Sequence, residues 1–256
     1  MNMRIMRSTR DKLPEKRQNG TGVENLSTWL DSDDPTLGVW VINDKFISVS
    51  YNPQRHEKKF AYLVNANKMA KEGAVLFIHP NGLSEHPRLY VSNVGIAFSF
   101  TYKKQNDQRN SLFFFDAMKS ACQIAIPGSL ITGNDILLEG KKIAGCVIMP
   151  RAIICRINII MDYDLYDSAI KSEYFKTLSS EGKTAREYTT DLTSINIDKD
   201  DVINDFIDEF ARLCSFDTYE EKATENELNT LDRFYLEGFP KLEISENLMV
   251  QQIREE

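Results

Sequence analysis

Apolar and polar positions alternate with two different periods along this chain, and the changes of period mark its elements. Residues 38–42 (Gly38, Val39, Trp40, Val41, Ile42) and 46–50 (Phe46, Ile47, Ser48, Val49, Ser50) read as two strands. Asn43 and Asp44 between them suit a tight turn, so a hairpin is expected there. A helix is expected over 23–30. Another is expected over 60–72, closed by Gly73 and followed by a strand over 74–78. Residues 79–87 are dense in turn formers, and 95–102 form the next strand. From Ser111 the period lengthens: Leu112, Phe115, Met118 and Cys122 recur at helical spacing and are expected to form a buried stripe up to residue 126. Strands over 135–138 and 142–149 follow, turning at Glu139-Gly140, and then a nearly continuous apolar strand over 152–161. Helices are expected over 168–178, over 199–214 and from 225 to about 235. In the second of these Asp200 and Asp201 open the first turn, and Val202, Phe206, Phe210 and Leu213 line one face. Strands and helices intermix without strict βαβ alternation. The expected class is α+β, with mixed or antiparallel sheets and packed helices.

Composition narrows the function classes. Of the 256 residues 42% are hydrophobic and 27% charged, and the net charge is −7, as in ordinary globular proteins. No run of about 18 apolar residues exists to span a bilayer, and no apolar h-region opens the chain. Charge is uneven: residues 1–24 hold a net +3, leaving −10 for the rest. An acidic body does not suit nucleic acid as the main partner, and membrane is not expected either. Residues 1–22 are expected to be a disordered basic arm, 23–240 the catalytic-type domain and 241–256 an acidic tail. Cys122, Cys146, Cys155 and Cys214 show no CxxC or CxxH pairing. Reduced thiols in the cytoplasm are therefore expected, with the mitochondrial matrix as the alternative compartment.

The stretch from Gly133 to Gly145 is the most informative for chemistry. As bare physics it is a β-hairpin whose return strand carries Lys142, with Ala144 and Gly145 keeping the neighbouring surface open to a ligand. A lysine held there can neutralise a phosphate or polarise a carbonyl oxygen. A surface hairpin with an exposed Lys141-Lys142 pair is the plainer reading of the same pattern.

Gly133-Asn134-Asp135 through Gly140-Lys141-Lys142-Ile143-Ala144-Gly145 is similar to the hairpin segment shared by biotin and lipoate protein ligases. The flanks resemble the lipoate–protein ligase A and octanoyltransferase branch: Asn65 to Gly73 its helix before the ligand loop, Ser92-Asn93 to Phe100 the strand after that loop. Met161-Asp162-Tyr163-Asp164 resembles its D-x-D strand end and Tyr188 to Leu192 its V-T-N-L segment. The likeness is collinear over about residues 23–236. It implies a class II synthetase-like catalytic domain that moves a lipoyl or octanoyl group, by way of an acyl-adenylate, to a lysine of a lipoyl-type carrier domain. On that resemblance Lys142 contacts the acyl-phosphate and carbonyl oxygens, Asn134 and Asp135 lie in the phosphate and magnesium neighbourhood, with Asp135 as metal ligand, and Ala144 and Gly145 let the substrate lie close. ATP and Mg²⁺ are the cofactors implied.

Two segments depart from the family pattern. Residues 78–90 keep only Gly82 of a glycine triplet, contain Pro80, Glu85 and Pro87, and lack an arginine pair. The expected cradle for an adenylate is reshaped accordingly. An H-G-(T/S) motif is replaced by Arg156-Ile157-Asn158. Three alternatives stay open at this level: a non-catalytic paralogue that binds a carrier protein or a partner ligase subunit, a cysteine-dependent acyltransferase, and a biotin protein ligase. For the thiol route Cys146 and Cys155 are the candidate nucleophiles. Strict alternation puts Cys146 on the face of Lys142, and Arg156 follows Cys155. His56, His79 and His86 match no zinc spacing. Asp162 and Asp164, two apart, would share a face on a strand.

Overall fold

The structure, a computed structural model, describes residues 1–7, 34–42, 46–50, 75–79, 88–92, 94–103, 109–148, 152–169 and 184–227. The helices expected over 23–30 and 60–72 lie outside these residues, as do Cys-free segments 80–87 and 241–256. Two compact units are formed.

The first unit holds an eight-stranded mixed sheet. Its strands are β1 (Asn2–Arg7), β2 (Thr36–Ile42), β6 (Val94–Thr101), β7 (Ser129–Thr132), β8 (Asp135–Leu138), β9 (Lys141–Ile148), β10 (Ile153–Ile160) and β11 (Asp217–Glu220). They lie in the order β11-β1-β2-β6-β10-β9-β8-β7. β1 runs parallel to both of its neighbours, and every other pairing is antiparallel. β3 (Phe46–Ser50), β4 (Val75–His79) and β5 (Arg88–Ser92) belong to the second unit. There they form a separate sheet with β3 central, parallel to β4 and antiparallel to β5. The expected hairpin of 38–42 with 46–50 is therefore corrected. Each strand has better partners elsewhere: β2 is buried between β1 and β6, and the two segments enter different sheets.

One face of the large sheet is covered by two helices, α1 (Ser111–Ala125) and α4 (Lys199–Cys214). Asn110 caps α1 by accepting the Phe113 N–H at 2.9 Å, and Asp198 caps α4 by accepting the Asp200 N–H at 2.7 Å. Each such cap is worth about 1 kcal/mol. The buried stripe of α1 is Phe114, Phe115, Ala117, Met118, Ala121, Cys122 and Ala125. Leu112, expected in it, is 61% exposed, because at 3.6 residues per turn it lies about 120° round the helix from Met118. On α4 the stripe runs as read from the sequence: Val202, Phe206 and Phe210 are buried and Leu213 packs at its margin. Phe206 stacks on Phe98 of β6 at 3.7 Å between centroids, and Phe100 meets Phe114 and Phe210 at 4.9 and 5.0 Å. Such aromatic pairs contribute about 0.5–1.5 kcal/mol each beyond their buried area. Arg109 lies over Phe113, Phe114 and Phe216, closing the end of this cluster.

Residues 2–7 form β1, not the start of a disordered arm. Met3 and Ile5 enter the core, and Arg4, on the other face, is only 3% exposed. The cause is distant in sequence. Arg4 donates through Nη1 and Nη2 to the two carboxylate oxygens of Glu227 at 2.7 and 3.0 Å, and through Nη2 to the Lys222 carbonyl at 2.7 Å. Its Nε lies 3.0 Å from Glu221. A bidentate pair of this kind offsets the desolvation of the guanidinium.

In the second unit Asp167 of α2 (Tyr163–Ala169) accepts the Ala185 N–H that opens α3 (Ala185–Tyr188) at 2.8 Å. Asp162 caps α2 by accepting the Leu165 N–H, and Asp164 is exposed and paired to Arg186 at 3.6 Å. The expected strand end with two carboxylates on one face is thus the first turn of a helix.

Burial opposes the charge of Glu227, but the hydrogen bonds from Arg4 and the Thr224 N–H outweigh it and hold this carboxyl below its usual range. A depressed folded-state value gives stability that is present above the unfolded value (about 4.3) and lost as pH falls through the folded one. Urea unfolding at a series of pH values should show Glu227→Gln less stable than the wild type by about 1 kcal/mol at pH 7, allowing for partial solvent screening. The gap should close below pH 4. A gap independent of pH would refute the pairing.

Candidate acyl-phosphate site

Two tight turns aim the hairpin residues. Gly133 takes φ 60° at the first central position between β7 and β8, and Glu139 and Gly140 take φ 50° and 77° between β8 and β9, the left-handed pair of a two-residue hairpin. The turn expected at Glu139-Gly140 is where the sequence reading puts it. Gly140 meets no steric cost at positive φ, whereas Glu139 bears that of its own Cβ, about 1–2 kcal/mol.

The β8–β9 ladder then shifts. Ile136 faces Ala144 but Leu137 faces Lys142, so Ile143 is an extra residue in β9. Such a bulge reverses the phase of side-chain alternation. Lys142 consequently lies on the same face as Asp135 and Gly145, opposite α1 and α4, and its Nζ is 2.7 Å from Asp135 Oδ1; each side chain is one-third exposed. A Cβ on Gly145 would stand 3.1 Å from Lys142 Cε and 3.2 Å from both Lys142 Nζ and Asp135 Oδ1. The charged pair therefore overhangs a bare stretch of strand.

Thr190 holds the bulge. Its N–H donates to the Lys142 carbonyl at 2.9 Å, and its own carbonyl accepts from Asn158 Nδ2 at 3.2 Å. The 190–194 turn is tied by Thr190 Oγ1 to Ser194 Oγ at 3.0 Å and by Ser194 Oγ donating to the Asp191 carbonyl at 2.6 Å. Thr190 and Asn158 were not singled out as site residues in the sequence. The contacts that define them span 48 and 32 residues and leave no local signature.

Of the sequence candidates, Lys142, Asp135 and Gly145 come together. Asn134 sits in the exposed turn beside them, its carbonyl accepting the Cys146 N–H at 2.8 Å. Ala144 does not join them: it is 2% exposed and belongs to the helix-packed core, as its partners Ile136 and Ile157 do. His79 and Arg88 end the edge strands of the three-stranded sheet, both in register with Ser50. The loop between them, with His86, lies outside the described residues, as does His56. Among the described residues no group of three or more His, Cys, Asp or Glu side chains could hold a metal ion.

The cysteine reading is corrected by the same bulge. Cys146 and Cys155 are register partners on the core face, packed with Cys122 of α1, and all four thiols of the chain are buried and outside any disulfide. Arg156, next to Cys155 in the strand, lies on the other face. The hydrogen bond with Cys155 and then burial push the Cys146 thiol well up. Burial and then the bond with Cys122 do the same to Cys155. A nucleophilic thiol needs exposure and thiolate character, and neither cysteine has them.

No protein-family model matches the chain, and no curated protein does. Solved structures do match. A bipartite lipoate protein ligase from Thermoplasma acidophilum, solved in a study with its E2 lipoyl domain, has a TM-score of 0.69 at 17% identity, covering 96% of each chain. A lipoate-protein ligase A bound with ATP has a TM-score of 0.68 at 19% identity, over 97% of this chain and all of that one. A T. acidophilum protein with bound lipoic acid has a TM-score of 0.62 at 17% identity, over 91% and 94%. The chain therefore has the fold of the lipoate–protein ligase catalytic domains, the α+β class that the resemblance implied.

Two outcomes check this geometry. In the native protein at pH 8 an aromatic disulfide reagent should label fewer than one thiol per chain within minutes, and all four after denaturation in guanidinium; rapid native labelling would restore the thiol route. Gly145→Val should change stability by less than about 1 kcal/mol. Its crystal structure should show the 2.7 Å Lys142–Asp135 pair displaced.

Proposed function

We propose that this protein is a lipoate–protein ligase-like acyltransferase, passing a lipoyl or octanoyl group from an acyl-adenylate to a lysine of a lipoyl-type carrier domain. The observation that carries the reading is the Lys142 ammonium, held by Asp135 above Gly145 on the face opposite the helices, within the fold of lipoate–protein ligases. Acyl transfer from a mixed anhydride develops negative charge on the carbonyl oxygen and on the leaving phosphate. A cation fixed beside both lowers the barrier without reorganising at the moment of reaction. The bulge, the Asp135 pair and the Thr190 clamp fix it. The bare backbone at Gly145 suits the close approach of an acyl-phosphate, since any Cβ there would touch the lysine.

ATP would supply the activating nucleotide and Mg²⁺ its charge neutralisation. The residues present fit both in a limited way: Lys142 would take a phosphate oxygen, and Asp135 would give Mg²⁺ one carboxylate. One carboxylate is enough when phosphates provide other ligands. Asn134 stands in the turn beside them. A lipoyl-type domain as acceptor is supported by the neighbouring ligase studied with its E2 lipoyl domain. A cytoplasmic location is part of the same proposal. One observation favours a second reading, a paralogue that binds a carrier or a partner ligase without catalysis: residues 78–90 lack the arginine pair and the glycine triplet.

Isothermal titration with a non-hydrolysable lipoyl-adenylate analogue tests the main reading. The wild type should bind, and Lys142→Ala should bind at least tenfold more weakly, about 1.4 kcal/mol. With ATP, Mg²⁺, lipoate and a lipoyl domain, mass spectrometry should show the acyl group on the domain's lysine. Analogue binding without any transfer favours the second reading, and no binding at all defeats the first.

A further inference from the structure

Pairing between β9 and β10 ends at Ala144–Ile157, one residue short of the inserted Ile143. On its other side β10 also changes step: Asn158 faces Gly95 and Ile160 faces Val94, so Ile159 is an extra residue against β6. Both isoleucines enter the helix-packed core. Where the β9–β10 ladder stops, a third stretch of chain bonds to each strand. Thr190 donates its N–H to the Lys142 carbonyl of β9 at 2.9 Å, and its carbonyl accepts Asn158 Nδ2 of β10 at 3.2 Å. A single residue thus bridges the two strands beyond their last pair.

Only one group in this bridge is a side chain. Thr190 and Lys142 contribute backbone atoms, which any residue but proline would supply. The Asn158 amide is specific to its residue. Asn158 is 8% exposed and stands between Ile157 and Ile159 of the core. By alternation its side chain lies on the face opposite the helices, the face of Lys142. An amide buried in an apolar strand is costly unless it is hydrogen-bonded, and the Thr190 carbonyl is its partner. That partner is stiff, because the 190–194 turn is closed by its own side chains, Thr190 Oγ1 with Ser194 Oγ and Thr193 Oγ1 donating to Asp191. Lys142 is therefore held at both ends: its ammonium by Asp135 at 2.7 Å, and its carbonyl, through Thr190, by Asn158.

We propose that Asn158 is a positioning residue of this site: acting through Thr190, it fixes the Lys142 backbone and so the place where the ammonium meets the oxygens of the acyl donor. A cation lowers the barrier to acyl transfer to the extent that it is fixed before the reaction. A misplacement of about 1 Å can cost on the order of a hundredfold in rate. This rests on the acyl-adenylate reading above.

The test is a double-mutant cycle on the full chain, read by calorimetric binding of the non-hydrolysable lipoyl-adenylate analogue. Asn158→Leu keeps much of the shape of the side chain and removes the donor. It should weaken the analogue about fivefold, the equivalent of one lost hydrogen bond. In the Lys142→Ala background the same substitution should weaken it less than about twofold, because a residue that acts only through the lysine has nothing left to position. Equal losses in the two backgrounds would show a merely structural role, and no loss in the wild-type background would show that Lys142 needs no such anchor. Either result overturns the inference while the acyl-adenylate reading stands. A wild type that fails to bind the analogue ends that reading, and this inference with it. If Asn158→Leu gives no cooperative unfolding transition, Asn158→Thr, a good strand former with a shorter side chain, takes its place in the cycle. The same non-additive loss is expected of it, and additive or absent loss overturns the inference.

Discussion

Between the pairs Ile136–Ala144 and Leu137–Lys142 the β8–β9 ladder accommodates Ile143 as an extra residue, and the rest of the candidate site depends on that shift. Without it, Lys142 would share a face with Ala144 and Cys146 and point into the packed helices, where an unpaired ammonium costs several kcal/mol. With it, Ile143 and Ala144 both enter the core, and the lysine emerges beside Asp135. The Lys142 carbonyl, beyond the last β9–β10 pair, accepts the Thr190 N–H. A backbone irregularity is thereby satisfied by a segment that also anchors Asn158.

The two faces of the sheet divide the physical labour. The helix-packed face is apolar and aromatic, centred on Phe98, Phe100, Phe114, Phe206 and Phe210, all fully buried. Its close packing fixes strand register, and register fixes what stands opposite what on the other face. That other face carries the charged groups: Arg4 against Glu221 and Glu227 near one edge, and Arg156, Lys142 and Asp135 toward the other. The Arg4 cluster ties β1 to residues 221–227. The edge strand β11 remains exposed and acidic, as edges that must not recruit further strands often are.

Much of this was legible from local pattern. The 3.6-residue period identified α1 and α4, and Asp200 with Asp201 marked the first turn of α4. The dipeptide Glu139-Gly140 gave the hairpin turn, because a glycine there accepts φ above zero. Lys142, Asp135 and Gly145 were chosen from a short string whose residues remain close in space because one hairpin holds them. Other features were not legible. Met3 to Met6 contains an arginine and passes for part of a basic arm, since its carboxylate partners come more than 200 residues later. Asn43 and Asp44 looked like a hairpin turn because turn chemistry reports a change of direction, not which sheet the chain enters next.

The sequence by itself determined the two helices α1 and α4, the Glu139-Gly140 turn and the class of fold, because periodicity, caps and turns are interactions within a few residues. Only the tertiary structure decided which face each hairpin residue occupies, and that decision separated Lys142 from Cys146 and Ala144. Alternation along a strand is a rule of period two, and one inserted residue inverts it. Where the insertion falls depends on the neighbouring strand, on the core that must be filled by Ile143, and on the distant Thr190, whose N–H donates to the Lys142 carbonyl. The same is true of Asn158, whose bond to the Thr190 carbonyl joins residues 32 apart in the chain.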